Sequence, residues 1–270
     1  MNVTVDRVWA DFCKLRETTP LVLSLTNSVV REFTANALLA LGASPIMSDA
    51  IEEIVELVGI ANAVNINIGT PTPRSSEAMV LAAQAAKTRA IPIALDPVAV
   101  AATKLRRDLV DRLLHISLPV VIRGNQAEIA ALAGLPATAR GVDATGASEQ
   151  AAVAARALSK TLGTVVVASG AIDYMSDGTS VIALENGHPL MARTTGSGCV
   201  ATAVIAAFLT VSPSPFSAAI SAMAVMDIAG ELAAEHPKTE GPGSFRVRFL
   251  DMFDKLEPEC LQERIRVYEM

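Results

Sequence analysis

The chain has 270 residues, is 51% hydrophobic but only 4% aromatic, and carries a net charge of −6. This acidic balance argues against a nucleic-acid partner, because no basic stripe is available to displace counterions from a phosphate backbone. It does not exclude ATP, which proteins also bind through Mg²⁺ and backbone amides. The longest apolar run, residues 199–211, is too short to span a bilayer, and the three cysteines lack CxxC spacing. We therefore expect a soluble cytoplasmic protein without a membrane segment, zinc site or disulfide framework.

Apolar periodicity, capping residues and Gly/Pro positions predict helices and strands that alternate along the chain. Helices are predicted at 3–16, 29–41 (closed by Gly42), a segment after Ser48 or Asp49 containing 51–58, then 73–86, 103–115, 125–132, 149–161, 200–211, 216–234 and 245–253. Strands are predicted at 21–25, 45–47, 63–68, 91–95, 119–122 and 164–168, followed by a hairpin of 173–176 with 180–184. We predict that residues 134–147 are a Gly/Pro-rich surface connection inside one domain, 1–270. The alternation predicts a three-layer α/β/α fold with a mostly parallel sheet and helices on both faces.

Polar residues follow almost every predicted strand of the parallel part of the sheet. Ligands of such sheets lie outside the carboxyl ends of the strands. The residues at these ends are Thr26 and Asn27, Met47, Gly69 and Thr70, Asp96, Arg123 to Asn125, and Ser169 with Gly170. One rim of the sheet thus collects an acid, an arginine, amides and hydroxyls.

The run Thr194-Thr195-Gly196-Ser197-Gly198-Cys199 leads directly into an apolar helical segment. Glycines let successive backbone N–H groups converge, and a helix N-terminus adds a positive dipole end, so the run suits an anion such as a phosphoryl group. Cys199 would lie in the first turn, where the dipole lowers the pKa of a thiol. A glycine-punctuated helix start without a ligand accounts for the same pattern.

Six segments together identify a family resemblance across roughly residues 20–211. They read SLTNSVVREFTANALLALGASPIMSDA, NIGT, LDPVAVAAT, VIRGNQAE, RGVD and TTGSGC, and in this order they closely resemble hydroxyethylthiazole kinase, of the ribokinase-like superfamily. The resemblance implies transfer of the ATP γ-phosphoryl group to the hydroxyl of 5-(2-hydroxyethyl)-4-methylthiazole, a step of thiamine salvage. It also implies Mg²⁺, and a homotrimer with active sites formed between subunits.

The resemblance also assigns roles to particular residues. It places Cys199, Gly196 and Gly198 at the anion hole, Asn27, Met47 and Gly196 on the thiazole side, Arg123, Ser169 and Asn125 against ATP, and Glu128 with Asp96 around Mg²⁺. The NxxE spacing of Asn125 and Glu128 puts both on one helical face. Asp143 in the RGVD run fits a loop on the ATP side and fits a turn residue equally well. Other interpretations also stay open: a small buried residue for Cys199, a solvated helix residue for Glu128, a surface ion pair for Arg123 and core packing for Met47.

The chain departs from the family pattern in two motifs. The family commonly shows LDPVGVGAT, whereas this chain has Ala99 and Ala101, and Ser24 replaces a frequent histidine ahead of Thr26-Asn27. If either glycine serves a positive φ, alanine there costs about 1 kcal/mol or more.

Three other functions share parts of this pattern. A kinase of a pyrimidine alcohol and an ATP- or ADP-dependent hydrate dehydratase of this fold usually keep an aspartate where this chain has Cys199. A non-catalytic thiazole binder would have no need of Asp96, Glu128 and Arg123. ATP consumption with the thiazole alcohol discriminates among them.

Overall fold

A computed structural model describes residues 4–135 and 144–270, with side chains omitted for 144–148. The RGVD run at 140–143, including Asp143, lies outside these ranges. The described strands are β1 (Leu21–Leu25), β2 (Ser44–Met47), β3 (Ala63–Asn67), β4 (Ile93–Asp96), β5 (Val121–Asn125), β6 (Val165–Ser169), β7 (Asp173–Ser176), β8 (Val181–Leu184) and β9 (Val267–Glu269). The described helices are α1 (Val5–Thr18), α2 (Arg31–Leu41), α3 (Ile54–Ile60), α4 (Pro73–Arg89), α5 (Lys104–Ile116), α6 (Gln126–Leu132), α7 (Ala144–Leu162), α8 (Pro189–Ala192), α9 (Ser197–Phe208), α10 (Pro215–Glu235), α11 (Pro242–Lys255) and α12 (Pro258–Arg264).

The strands form one sheet in the order β2-β1-β3-β4-β5-β6-β7-β8-β9. Strands β1 to β6 pair in parallel, and β7, β8 and β9 add an antiparallel edge. The predicted mostly parallel sheet and the β7–β8 hairpin are both confirmed. In the register of β3 and β4, Asn67 lies beside Asp96 at the carboxyl edge.

Two hydrophobic clusters cover the two faces of the sheet, because successive side chains of a strand point to opposite sides. In β1, Val22 belongs to the cluster under α1, α2, α9, α10 and α11, and Leu23 belongs to the cluster under α3, α4, α5 and α7. The predicted three-layer arrangement is therefore confirmed. Its layers leave the carboxyl edge of the sheet as the place where polar residues collect.

Helix α10 is the most buried long helix of the first cluster. It is long and apolar enough to cross a membrane by composition, but 94% of its apolar window is buried inside the protein. Burial against α1, α9 and α11 is the expected situation of a core helix. Ser214 caps it by accepting the Ser217 N–H.

The structure corrects several predicted boundaries. Helix α3 starts at Ile54 and not after Ser48 or Asp49, because the Ser48 hydroxyl accepts the Ala50 N–H in a turn instead of capping a helix. Helices α8 and α12 and strand β9 were not predicted. Each has only three to seven residues, too few for a hydrophobic period to show. Gly42 ends α2 with φ +103°, as predicted.

Candidate active site

The N-terminus of α9 opens at the carboxyl edge of the sheet and is shaped by two glycines. Gly196 caps the helix with φ +93°, and a Cβ there would lie 2.7 Å from Val30 Cγ1 and 3.1 Å from a Phe33 ring carbon. Both the backbone conformation and the packing against α2 therefore require glycine. The Ser197 hydroxyl donates to the Thr194 carbonyl over 2.9 Å, which fixes the turn that precedes the helix.

Arg123 crosses this helix end because Gly198 leaves room for it. A Cβ on Gly198 would lie 2.6 Å from Arg123 Nη1. The guanidinium is 11% exposed, its Nη2 donates to the Ser169 hydroxyl, and its Nη1 is 4.0 Å from Asp96 Oδ2. Its Nε has no hydrogen-bond partner among the described residues. A buried cation beside the positive end of a helix dipole is unfavourable alone, so the pair is arranged for an anion.

A chain of hydrogen bonds joins Asp96 to Cys199. Asp96 Oδ2 accepts from Asn67 Nδ2 over 2.7 Å and from the Thr202 hydroxyl over 3.2 Å. Asn67 Oδ1 accepts from Asn27 Nδ2 over 2.9 Å, and the same Asn27 amide group lies 3.4 Å from the Cys199 sulfur. Asn67 thus orients both the predicted thiazole-side amide and the predicted metal-side carboxylate.

Asp96 and Glu128 are two carboxylates placed close together. Burial raises the pKa of Asp96 to about 7, the Arg123 charge opposes this shift, and the Glu128 charge adds to it. Glu128 accepts the Ala99 N–H and the Asn125 N–H, each over 2.7 Å, and Asn125 in turn caps α6. Glu128 is therefore held in place by the backbone and is not the solvated helix residue of the alternative interpretation.

The expected low pKa of Cys199 is wrong. The residue lies in the first turn of α9, as predicted, but burial and the nearby Asp96 charge raise the pKa of its thiol to about 11. Desolvation outweighs the helix dipole at this position because the sulfur receives only weak hydrogen bonds from the Asn27 and Asn67 amides. The thiol is consequently protonated at neutral pH.

A cavity of about 740 Å³ extends from the α9 N-terminus. Residues of the predicted rim and of the α9 start line part of it: Arg123, Asn125, Ser169, Gly170, Ser197 and Gly198. A further part of the wall, which was not predicted, includes residues of the loop after β8 and of α8 and α10: Asn186 to Pro189, Met191, Met223, Met226 and Asp227. A lining that combines the Arg123 cation with thioethers suits a molecule with a phosphate and a flat ring.

Two aspartates lie together in the cavity wall. The Asp173 and Asp227 carboxyl groups interact electrostatically, and Asp173 Oδ1 accepts the Gly170 N–H over 2.8 Å. Burial raises the pKa of both groups, and the Asp173 charge raises the pKa of Asp227 further. The sequence spacing of Met223, Met226 and Asp227 places them on one face of α10, so this part of the cavity wall could have been predicted.

Met47 and Ala99 lie near the same edge. Met47 ends β2, where Ser24 of β1 is its register partner, and its half-buried side chain belongs to neither hydrophobic cluster of the described residues. Ordinary core packing is therefore not its role, while its contact with a thiazole stays a prediction. Ala99 has φ +53°, so one of the two family glycines is replaced where a positive φ occurs; Ala101 has no positive φ.

Comparisons with known proteins identify the family to which the chain is similar. The model of the hydroxyethylthiazole kinase family matches residues 12–259. The chain is 45% identical to the hydroxyethylthiazole kinase of Syntrophus aciditrophicus over 99% of its own length and 98% of that protein. The structure of the hydroxyethylthiazole kinase protein from Pyrococcus horikoshii superposes with a TM-score of 0.89 at 38% identity, covering 97% of this chain and 98% of that one. Pyridoxal kinase from Staphylococcus aureus, solved with AMP-PCP and pyridoxal, shares the fold alone at 16% identity and a TM-score of 0.64, over 93% of this chain and 98% of that one.

Proposed function

The chain belongs to the hydroxyethylthiazole kinase family, and we propose that the edge formed by α9, β4 and β5 transfers the γ-phosphoryl group of ATP to the hydroxyl of 5-(2-hydroxyethyl)-4-methylthiazole. The product is the thiazole phosphate used in thiamine salvage. The observation that carries the assignment of roles is the buried Arg123 guanidinium packed on Gly198 at the N-terminus of a core helix. Both groups are positive, and a transferring phosphoryl group is the anion that fits between them.

The acceptor alcohol is proposed to lie beside Cys199, Asn27 and Met47. The Asn27 amide is fixed by Asn67 and by its own Oδ1, which accepts the Val29 N–H over 3.1 Å. In the transfer, the bond between the γ-phosphorus and its bridging oxygen breaks, ADP leaves with that oxygen, a bond from phosphorus to the alcohol oxygen forms, and the hydroxyl proton is released to solvent. A loose transition state cleaves the leaving-group bond early and demands little from a base, which agrees with a protonated Cys199 thiol.

Mg²⁺ is proposed to be held by Asp96 and Glu128 together with phosphate oxygens and water. This proposal is supported by the buried Asp96 carboxyl, whose pKa is raised mainly by burial and further by the Glu128 charge, because a bound cation would stabilise its ionised form. Mg²⁺ favours few protein carboxylates together with phosphate oxygens and water, so two carboxylates are enough for such a site. The ion would neutralise charge on the transferring phosphates.

Magnesium dependence tests the Glu128 assignment. Glu128→Ala should lower turnover and raise the Mg²⁺ concentration needed for half-maximal rate, because it removes one of the two carboxylates. The control is Glu77→Ala, because Glu77 lies on helix α4 and is remote from Glu128 in the sequence. An unchanged Mg²⁺ titration in Glu128→Ala would remove this residue from the site.

Turnover tests the function as a whole. Purified protein should release ADP from ATP when the thiazole alcohol is added, and should do so far more slowly with a hydroxymethylpyrimidine. Faster turnover of the pyrimidine would favour the pyrimidine kinase. ATP hydrolysis coupled to the dehydration of a hydrate would favour the dehydratase. Tight binding of the thiazole alcohol without ADP release would favour a non-catalytic binder.

Three further properties are proposed on the family resemblance: a single domain over 1–270, a homotrimer with active sites between subunits, and a cytoplasmic location. The continuous sheet supports the first. Light scattering should give three times the chain mass of 28.2 kDa, and a mass of one chain would contradict the trimer.

A further inference from the structure

One wall of the cavity is a short loop, residues 185–189, that is held from behind by a buried glutamate. Asn186 and Gly187 line the cavity, whereas Glu231 of α10 does not. Glu231 is 6% exposed, and its Oε1 accepts from Asn186 Nδ2 over 3.0 Å and from the Gly187 N–H over 3.1 Å. Gly187 has φ +109°, so the backbone turns at the point where its N–H meets the carboxylate.

The last residues of the chain complete this arrangement. Arg266 Nη2 lies 2.5 Å from Glu231 Oε1, and Arg264 Nη1 lies 3.8 Å from Glu231 Oε2. The Asn186 side chain bridges the loop and the C-terminal segment, since its Nδ2 donates to the Arg264 carbonyl and its Oδ1 accepts the Arg266 N–H, each over 2.8 Å. The loop, α10 and the C-terminal segment are therefore joined by one hydrogen-bond network.

We propose that Glu231 is a positioning residue for the nucleotide: by holding Asn186 and Gly187, it sets the loop of residues 185–189 at the place where ATP binds. This inference rests on the proposed function, which puts ATP in the cavity. Its physical basis is that Glu231 is buried, reaches the loop with one oxygen, and has its charge compensated by two arginines from the C-terminal segment. A polar group buried in this way fixes the geometry of what it bonds.

Two conservative variants separate the effect of the length of the Glu231 side chain from the effect of its charge. Glu231→Asp keeps the charge but withdraws the oxygen from the loop by one methylene, whereas Glu231→Gln keeps the reach and loses the charge. Glu235→Asp is the matched control, because Glu235 lies on the same helix, accepts two 2.8 Å bonds from Arg264 and contacts no residue of the loop by hydrogen bond. The readouts are the Kd of a non-hydrolysable ATP analogue by calorimetry, KM for ATP, KM for the thiazole alcohol, kcat, and the thermal midpoint.

Glu231→Asp should raise the Kd of the analogue and KM for ATP roughly tenfold, the order expected for losing hydrogen bonds to buried groups. In that variant kcat at saturating ATP and KM for the thiazole should stay within about twofold, because the acceptor side is untouched. Glu231→Gln keeps an oxygen for the Asn186 and Gly187 hydrogen bonds, so its Kd, both KM values and kcat should stay within about threefold of the wild type. Glu235→Asp alters a partly exposed ion pair only and should stay within the same range in these quantities.

An unchanged Kd in Glu231→Asp would overturn the inference. Equal weakening in Glu231→Gln and Glu231→Asp, in proportion to their losses of thermal midpoint, would overturn it as well, because it would show a structural role only. A wild-type protein that binds the analogue but does not phosphorylate the thiazole would count against the proposed function and leave the Kd comparison of the variants standing.

Discussion

Ala99 offers a sharp test of how this chain tolerates a departure from its family. Its φ of +53° lies in the left-handed region, which costs a residue with a Cβ about 1–2 kcal/mol. Ala99→Gly removes that cost. It also destabilises the folded protein by about 0.4–1 kcal/mol, because glycine gives the unfolded chain more conformational entropy. The variant should therefore be more stable by about 0.5–1 kcal/mol, which corresponds to a rise of about 2 °C in Tm for a chain of this size.

Ala101 provides the control two residues away. It is exposed and has no positive φ, so Ala101→Gly brings only the entropic loss and should lower stability by about 0.4–1 kcal/mol. Paired urea unfolding curves measure both changes. The two variants should shift the midpoint in opposite directions, and a loss of stability in Ala99→Gly equal to that of Ala101→Gly would refute the argument from backbone strain.

Three further outcomes follow from the site. Asp96 has its pKa raised to about 7, so kcat/KM should fall as pH drops below that value; a profile flat from about pH 5 to 8 would contradict an ionised Asp96 in the reaction. The pKa of Cys199 is raised to about 11, so the folded protein keeps a proton that the unfolded chain releases, and Cys199 lowers stability as pH rises from about 9 to 11. Cys199→Ser should flatten that decline in thermal midpoint, and an unaltered decline would place its origin elsewhere. Gly198→Ala should displace Arg123, 2.6 Å from the added Cβ, and raise KM for ATP at least about tenfold, whereas KM at the wild-type value would show that the guanidinium does not bind the nucleotide.

The sheet and the residues at its edge were predictable because their signals are local. Asp96, Arg123 and Ser169 each follow a short apolar run that its alternation with helices identifies as a buried strand, so their arrival at one rim follows from the parallel order of the strands. The start of α9 was predictable for the same reason, since Gly196 and Gly198 precede a long apolar segment.

Residues whose importance arises from pairing across the fold were not predictable. Asn67 ends β3 and reads as one more polar residue, but its amide joins Asn27 to Asp96 only after β1, β3 and β4 have aligned. Thr202 lies inside an apolar helix, and nothing local indicates that its hydroxyl reaches Asp96. The predicted direction of the Cys199 pKa shift was wrong because burial, which depends on the whole fold, outweighs the local helix dipole.

Diffraction from crystals soaked with a non-hydrolysable ATP analogue and the thiazole alcohol measures directly where the phosphates bind. The γ-phosphate should accept hydrogen bonds from backbone N–H groups at the start of α9 and from the Arg123 guanidinium, with the alcohol oxygen on the Asn27 side. Well-ordered phosphates bound away from that helix end would contradict the account.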